Sequence, residues 1–401
     1  MTDRRILYVA AFLRALATGM LGVLIGIYLA TLGLPAGRIG VIVGLGLAGG
    51  AAATAAAMFL GDRVGRKRFL IALALLGILG TIGFLALADP WAIAAAAFIG
   101  MLNGMGRDRG AALALEQAVL PATANDRERT RVMAWYNVLQ DAGHALGSLC
   151  AGIPVLLRAA FHVPTLESLK LAIAVYAVIM AVTALLYLRL SPAVETPARA
   201  ARVTLSPESR DVLIRISALF SLDSLGGGFL TTALLSFFFF KRFGVGEGTI
   251  GLLFFGARTL NAFSHLGAAW LAGRIGLVRT MVFTHIPSSL LLVTVPFAPN
   301  FAIAAVLFLL REGLVEMDVP TRQSYVLAVV KPEERTVAST VTALVRLGAW
   351  AIAPSFAGLF MQGSSIAAPL WIGAGMKITY DLLLWRAFRS RHAPEEIAER
   401  A

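Results

Sequence analysis

Gly61-Asp-Arg-Val-Gly-Arg-Lys-Arg68 sets five charges and two glycines between two long apolar runs, residues 38–60 and 69–88. An apolar run of about 20 residues matches the thickness of a bilayer when it is helical. The strands of a membrane barrel would be shorter and would alternate in polarity. The octapeptide therefore reads as a tight basic turn between two membrane helices. Its glycines permit the reversal, and its cationic side chains hold it at the water interface.

The same alternation continues in both directions. Twelve apolar stretches can be laid along the chain: 6–30, 38–60, 69–88, 91–118, 131–157, 167–189, 211–236, 248–272, 280–298, 301–328, 336–361 and 366–385. The first follows Met1-Thr-Asp-Arg-Arg5, which looks like the charged start of a signal peptide. It is too long for that role and eleven spans follow, so it is read as uncleaved. Composition agrees, with 58% hydrophobic and 14% charged residues, against roughly 45–50% and about 25% in soluble domains. A soluble enzyme and a disordered chain are excluded on that ground. A disulfide scaffold is excluded because Cys150 is the single cysteine. The expected fold is an all-α membrane protein of twelve transmembrane helices.

The net charge of +12 invites a nucleic-acid reading, and its distribution rejects it. Of the 35 Lys and Arg, twenty-two fall at the termini, in the even-numbered loops or at the span ends that adjoin them, including Arg63, Arg66, Lys67, Arg68, Arg199 and Arg210. Five fall in the opposite loops or at the span ends that adjoin those, namely Arg38, Arg158, Lys170, Lys241 and Arg242, and eight lie deeper within spans. That bias follows the positive-inside rule and places both termini in the cytoplasm. The basicity is topological, and no nucleic-acid partner is expected.

The longest polar stretch, Arg189 to Arg210, leaves six spans on either side. The expected organisation is a six-helix bundle over 1–190, a cytoplasmic linker over 191–210 and a second six-helix bundle over 211–401. The halves echo each other. Gly61–Arg68 aligns with Ala272-Gly-Arg-Ile-Gly-Leu-Val-Arg279, and at the same offset Gly33 meets Gly244 and Ile39-Gly40 meets Ile250-Gly251. Glu128-Arg-Thr130 matches Glu334-Arg-Thr336, and Ala151-Gly152 matches Ala357-Gly358. Two nearly equal offsets point to a parallel six-span repeat.

Across nearly its whole length the chain resembles the major facilitator superfamily. Asp62-Arg63-Val64-Gly65-Arg66-Lys67 is similar to that family's D-R-x-G-R-[RK] motif, although Met58 stands where its leading glycine is usual and Gly273 replaces the acid in the second copy. By this resemblance Asp62, Arg63, Gly65, Arg66 and Lys67 form a gating latch on the cytoplasmic side. Gly143-His-Ala-Leu-Gly147-Ser148-Leu-Cys-Ala151-Gly152 is similar to the span 5 motif of proton-linked antiporters, with Ser148 in place of its proline. Gly40, Gly44, Gly46 and Gly50 of span 2 give G-x-x-x-G spacings, which serve close helix packing.

Ionisable groups inside a membrane are costly and mark substrate or proton pathways. Eight bases fall within the spans: Arg14, Arg107, Arg109, Arg258, Arg311, Arg322, Arg346 and Lys377. So do eight acids: Asp108, Glu116, Asp141, Asp223, Glu312, Glu316, Asp318 and Asp381. At helical spacing Asn137, Gln140, Asp141, His144 and Ser148 form one stripe, and Asp141 with His144 makes a possible relay. Arg107 is expected to face a cavity and Arg109 to pack against an acid, Glu116 being on its side of the helix. Glu312 and Glu316, alike in sign at i and i+4, are expected to share a proton. Asp223 has no charged neighbour in its own span, whereas Lys377, one turn from Asp381, reads as structural, as does Arg258. The resemblance places spans 1, 4, 7 and 10 around a central cavity, and with them Arg14, Arg107, Asp108, Asp223, Glu312, Glu316 and Asp318.

The reading is a monomeric secondary transporter in the inner membrane, with a small organic substrate and protons as the coupling ion. Antiport, and so efflux, is the favoured direction; proton symport of an organic anion is the alternative, and a non-transporting receptor or assembly factor the third. The five histidines show no metal-ligand spacing and no nucleotide loop or nucleophile motif is present, so no metal, cofactor or enzymatic activity is expected.

Overall fold

The computed structural model describes residues 2–123, 128–195, 206–317 and 334–388. Every regular element among them is helical. In chain order these are α1 (Asp3–Thr31), α2 (Ala36–Val64), α3 (Arg66–Ala86), α4 (Pro90–Gly100), α5 (Ala111–Val119), α6 (Arg129–Cys150), α7 (Ile153–Phe161) and α8 (Thr165–Leu188). The second half holds α9 (Pro207–Phe229), α10 (Thr232–Phe243), α11 (Glu247–Ile275), α12 (Leu277–Thr294), α13 (Phe301–Val315), α14 (Arg335–Gly363) and α15 (Ala368–Phe388). Eight helical stretches among the described residues are long and apolar enough to cross a membrane, and they correspond to expected spans 1, 2, 3, 5, 6, 7, 9 and 11. Spans 8 and 12 are α11 and α15, and span 10 begins as α13. Arg322 and Asp318 lie outside the described residues.

Span 4 departs from the continuous helix expected over 91–118. Asp89 caps its first part, accepting from the Trp91 and Ala92 amides at 3.0 and 2.9 Å, with Pro90 at the first helical position. That helix stops at Met101, which takes a left-handed conformation with φ 51°. Residues 101–110 are non-helical. Asn103 stabilises them, accepting from the Met105 amide at 2.8 Å and donating to the Arg107 carbonyl at 2.7 Å. Span 7 is also interrupted, at Leu230-Thr231, where Thr231 caps α10 through the Leu234 amide.

The repeat is written into the backbone. Gly65 and Gly276, one at each aligned turn, have φ of 97° and 89°. Gly33 and Gly244, the other aligned pair, have φ of 80° and 67°. Only glycine adopts such angles without strain. The same turns in both halves therefore required the same residue.

Contacts gather the chain into two compact units. The first comprises Met1–Ala198 together with Thr231–Gly256 and Pro354–Ile366 from the second sequence half. The second comprises Arg199–Leu230, Ala257–Ala353 and Ala367–Ala401. The first unit's core includes Ile6, Leu7, Leu70, Leu115, Tyr136 and Tyr187, and the second's Leu213, Ile216, Phe220, Met281, Tyr380 and Leu384. Of the expected linker, Pro192–Glu195 forms a 3-10 turn, and 196–205 lies outside the described residues.

Candidate functional site

In the first unit, Arg14 of α1 organises a buried charge cluster. Its Nη1 and Nη2 donate to Glu116 Oε1 and Oε2 at 2.5 and 2.8 Å, a bidentate pair, and its Nε donates to Asp108 Oδ2 at 3.0 Å. Tyr136 and Tyr187 donate to the two Glu116 oxygens at 2.7 and 2.6 Å. Glu116 is fully buried, and this shell of four donors is what makes its burial tolerable. Asp108 is pinned a second time, because its backbone N–H donates to His144 Nε2 at 2.7 Å. A backbone amide is only a donor, so Nε2 is the acceptor and His144 is neutral there.

This geometry corrects three expectations. Residues 107–109 lie in the non-helical stretch, so the helical spacing that set Arg107 and Arg109 on opposite faces does not apply. Glu116 bonds Arg14 and two tyrosines, where Arg109 was the expected partner. His144 joins Asp108 through the Asp108 backbone, whereas Asp141 was its expected relay partner. Arg107 and Arg109 are half-buried, and so is Asp141.

The second unit holds a longer chain of groups. Asp381 of α15 meets His285 Nδ1 of α12 at 3.0 Å, and His285 Nε2 lies 3.3 Å from Lys377 Nζ. Lys377 donates to Asp223 Oδ1 of α9 at 2.8 Å. Asp223 Oδ2 is 3.8 Å from Arg346 Nη2 of α14, and Arg346 Nε donates to Ser224 Oγ at 3.1 Å. Arg346 stacks on Trp350, 4.9 Å from the ring centroid, with Phe220 at 5.9 Å. Asp223, read as isolated in its own span, thus holds two cations from other spans. Lys377, read as the partner of Asp381, bonds Asp223 and His285.

The described part of span 10 also carries buried charge, on α13. Glu312 is ion-paired with Arg311 and accepts from Asn261 Nδ2 of α11 at 2.6 Å. Glu316, one turn after Glu312, is the C-cap of α13. Glu312 itself is held in a cluster with Arg311 and Asn261.

The basic turn between α2 and α3 is fastened from behind. Glu195 accepts from the Arg66 and Lys67 amides at 2.6 and 3.1 Å, capping the N-terminus of α3, and Lys67 Nζ donates to the Leu190 carbonyl at 2.6 Å. Arg63 is exposed and Arg66 buried; the Asp62 side chain lies outside the described part.

Within the first unit, the pieces of the second sequence half meet the first along a seam of small contacts. The Ala233 amide donates to the Gly104 carbonyl at 2.9 Å and Thr232 Oγ1 to the Met105 carbonyl at 2.8 Å, so the interruptions of spans 4 and 7 meet. A Cβ on Gly40 would lie 2.3 Å from the Pro354 carbonyl, and one on Gly251 2.5 Å from the Ser148 carbonyl. The Gly37 amide donates to Gln362 Oε1 at 3.1 Å. Arg158 of α7 forms an ion pair with the buried Glu247 of α11 and also donates to Ser168 Oγ. The span 5 glycines pack on α1, since a Cβ on Gly147 would lie 2.0 Å from the Leu16 carbonyl. Of the span 2 glycines, Gly46 packs equally closely on Leu102, whereas Gly50 faces open space and has no packing role.

These two interrupted spans, mid-span ion networks and repeated turns are the parts of a transporter. The family model described as Major Facilitator Superfamily matches residues 7–346. The chain belongs to this superfamily. A relative in Saccharomyces cerevisiae, an uncharacterized membrane protein, is 25% identical over 95% of this chain and 93% of its own length. Among solved structures, the nucleoside transporter NupG matches with a TM-score of 0.75 at 14% identity, covering 98% of this chain and all of that one. The inward-open xylose transporter XylE from E. coli gives 0.72 at 13% identity, with 98% of each chain covered. An inward-facing bacterial homologue of the iron transporter ferroportin gives 0.71 at 15%, covering 96% and 98%. The protein is therefore a multi-pass membrane transporter of small molecules with the superfamily's twelve-helix fold, and not an enzyme.

Several site residues escaped sequence reading. His285 had a signal that was passed over, a stripe of small hydroxyls at helical spacing made by Thr280, Thr284, Ser288 and Ser289, whereas Glu195 and Glu247 lie at span edges among ordinary loop charges. Tyr187 had a faint signal: it lies eleven residues after Tyr176, on the same face of an otherwise apolar helix.

Proposed function

We propose that this superfamily member is a proton-coupled secondary transporter of the inner membrane that exports a small organic molecule by alternating access. What carries the reading is the seam. It joins the two sequence halves within the first unit through close glycine contacts, hydrogen bonds to main-chain groups and the Arg158–Glu247 ion pair. Small contacts of this kind part with less repacking than interlocked side chains would, as suits an alternating gate. The positive-inside bias assigns both termini to the cytoplasm, and so assigns the seam to the outer side.

Proton coupling is supported by the buried carboxylates of both units, each held by basic groups that a moving helix would carry away. Export is supported by the span 5 motif, whose glycines set α6 against α1 and against the outer end of α11. Uptake of an organic anion is the second reading, favoured by Arg107 and Arg109 standing in the non-helical stretch of span 4. The solved neighbours named above are a nucleoside transporter, a xylose transporter and a homologue of an iron transporter, so substrate identity does not transfer.

A thermal-shift screen on purified protein identifies a ligand, because binding to the folded state raises apparent stability. Flux of that ligand in proteoliposomes with an imposed pH gradient then tests the mechanism. Uptake into vesicles that is driven by the gradient and abolished by a protonophore is expected. Flux indifferent to the gradient removes proton coupling, and the sign of the response separates exchange from symport.

A further inference from the structure

We infer that His285 is the proton-binding group of this transporter, with Asp381 as its positioning residue and Lys377 as an internal competitor for the same nitrogen. The inference rests on the proton-coupled reading above and assigns its site.

The argument begins from what each atom can do. Asp381 is fully buried and its two oxygens lie 3.0 Å from His285 Nδ1. The carboxylate accepts, so Nδ1 carries the hydrogen and Nε2 is left as the basic nitrogen. Nε2 faces the Lys377 ammonium at 3.3 Å, and an ammonium only donates. Its lone pair is thus occupied by a Lys377 hydrogen, and a second proton has no place on it. Lys377, however, has an alternative partner in Asp223 at 2.8 Å. When Lys377 turns wholly to Asp223, Nε2 is exposed and accepts a proton from water. The site then gains one positive charge, held by Asp381. When that proton leaves to water, Lys377 returns to Nε2 and the original charge is restored. No bond other than these N–H bonds is made or broken.

The groups around His285 bear this out element by element. From α15 it faces Asp381, Lys377 and the ring edge of Tyr380, 6.2 Å away. Asp223 of α9 and Arg346 of α14 stand behind Lys377. The ion pair of α13, which packs along α12, is turned instead to Asn261 of α11. An added proton on Nε2 puts a second positive charge beside the Lys377 ammonium, so its cost falls on Lys377. Displacement of Lys377 reaches Asp223, and through it Arg346. That residue's side chain is 16% exposed, while His285, Asp381, Asp223 and Lys377 are each under a tenth. A change in proton occupancy thus arrives at an aromatic-backed arginine on the least buried end of the chain.

Histidine C2 hydrogen–deuterium exchange, followed by mass spectrometry on the full-length protein in detergent, reads the protonation of each of the five histidines directly. In wild type, His285 is expected to show a sigmoidal profile within pH 4–9. Lys377→Met should raise its midpoint by at least one pH unit, a tenfold gain in proton affinity, Asp381→Asn should lower it by as much, and Lys377→Arg should stay near wild type. A flat wild-type profile, or one midpoint shared by all variants, overturns the inference. If the Met variant fails to fold, the Asn and Arg variants decide alone. The second readout is the ratio of flux with and without an imposed pH gradient, which in His285→Gln should fall to near one. A gradient-driven ratio retained in that variant overturns the assignment while leaving proton coupling intact. A wild-type ratio near one instead sinks the coupling reading, and the exchange profiles still stand or fall separately.

Discussion

Replacing Glu247 by Gln removes the charge from the Arg158–Glu247 ion pair of the seam while keeping size and one acceptor. Arg158 is 28% exposed at its side chain and Glu247 6%, so the pair is neither in bulk water nor in a dry core. At about 4 Å and an effective dielectric constant near 20, two unit charges attract by about 4 kcal/mol, before desolvation is subtracted. Arg158 keeps its hydrogen bond to Ser168 Oγ, which itself donates to the Thr165 carbonyl at 2.7 Å. The net loss should then be about 1–2 kcal/mol, within the usual value of a charged hydrogen bond. At about 1.4 kcal/mol per decade, the open-seam population rises roughly 5–30-fold. Ser148, whose carbonyl lies under Gly251 and whose side chain is 1% exposed, reports that opening once it is changed to Cys in a Cys150→Ala background. Its labelling rate by a membrane-impermeant maleimide should rise by the same factor. The swapped pair, Arg158→Glu with Glu247→Arg, should recover part of it. A labelling rate unchanged by Glu247→Gln would refute the assignment of this pair to a gate.

Other outcomes follow from the same contacts. Glu116→Gln leaves the buried Arg14 without its carboxylate and should cost about 3–5 kcal/mol, seen as a large fall in thermal stability in detergent, whereas Tyr136→Phe should cost about 1 kcal/mol. Gly65→Ala meets both a φ of 97° and the Glu195 carboxylate 3.0 Å from the new Cβ, and should lose about 1–2 kcal/mol by the same measurement. Gly50→Ala, with nothing within 4 Å of the new Cβ inside α2, is the unstrained control and should lose no stability. Gly40→Ala drives a methyl to 2.3 Å from the Pro354 carbonyl, so it should increase maleimide labelling at position 148 as Glu247→Gln does.

What could be read from sequence was set by how local each signal is. Hydropathy located the spans because a helix must satisfy its own backbone in lipid, a constraint that lies within one segment. The repeat was legible down to single torsions, since Gly65 and Gly276 answer the same positive-φ turn. The interruption of span 4 was not read, although Asn103, Gly104, Gly106 and Gly110 were in plain view. Averaged hydropathy passes over four small or polar residues within a 28-residue apolar stretch. Charge partners were least accessible. Arg14 and Glu116 are 102 residues apart, and Asp223 and Lys377 154. Helical-face arguments sort residues along one helix and say nothing of which face a neighbour presents. They therefore named Arg14, Asp108, Asp223 and Arg346 as candidates, and paired Glu116 and Lys377 wrongly.

The central claim is that the seam opens and closes. Arg38 and Ser364 are exposed and flank the Gly37–Gln362 contact, one on each side of it. Spin labels on cysteines at these two positions, in a Cys150→Ala background reconstituted in lipid nanodiscs, measure its width directly by pulsed electron resonance. The account predicts a short and a long distance whose ratio moves with pH and with the screened ligand, and moves toward the long one in Glu247→Gln. A single short distance under every condition, in protein that still transports in vesicles, would contradict it.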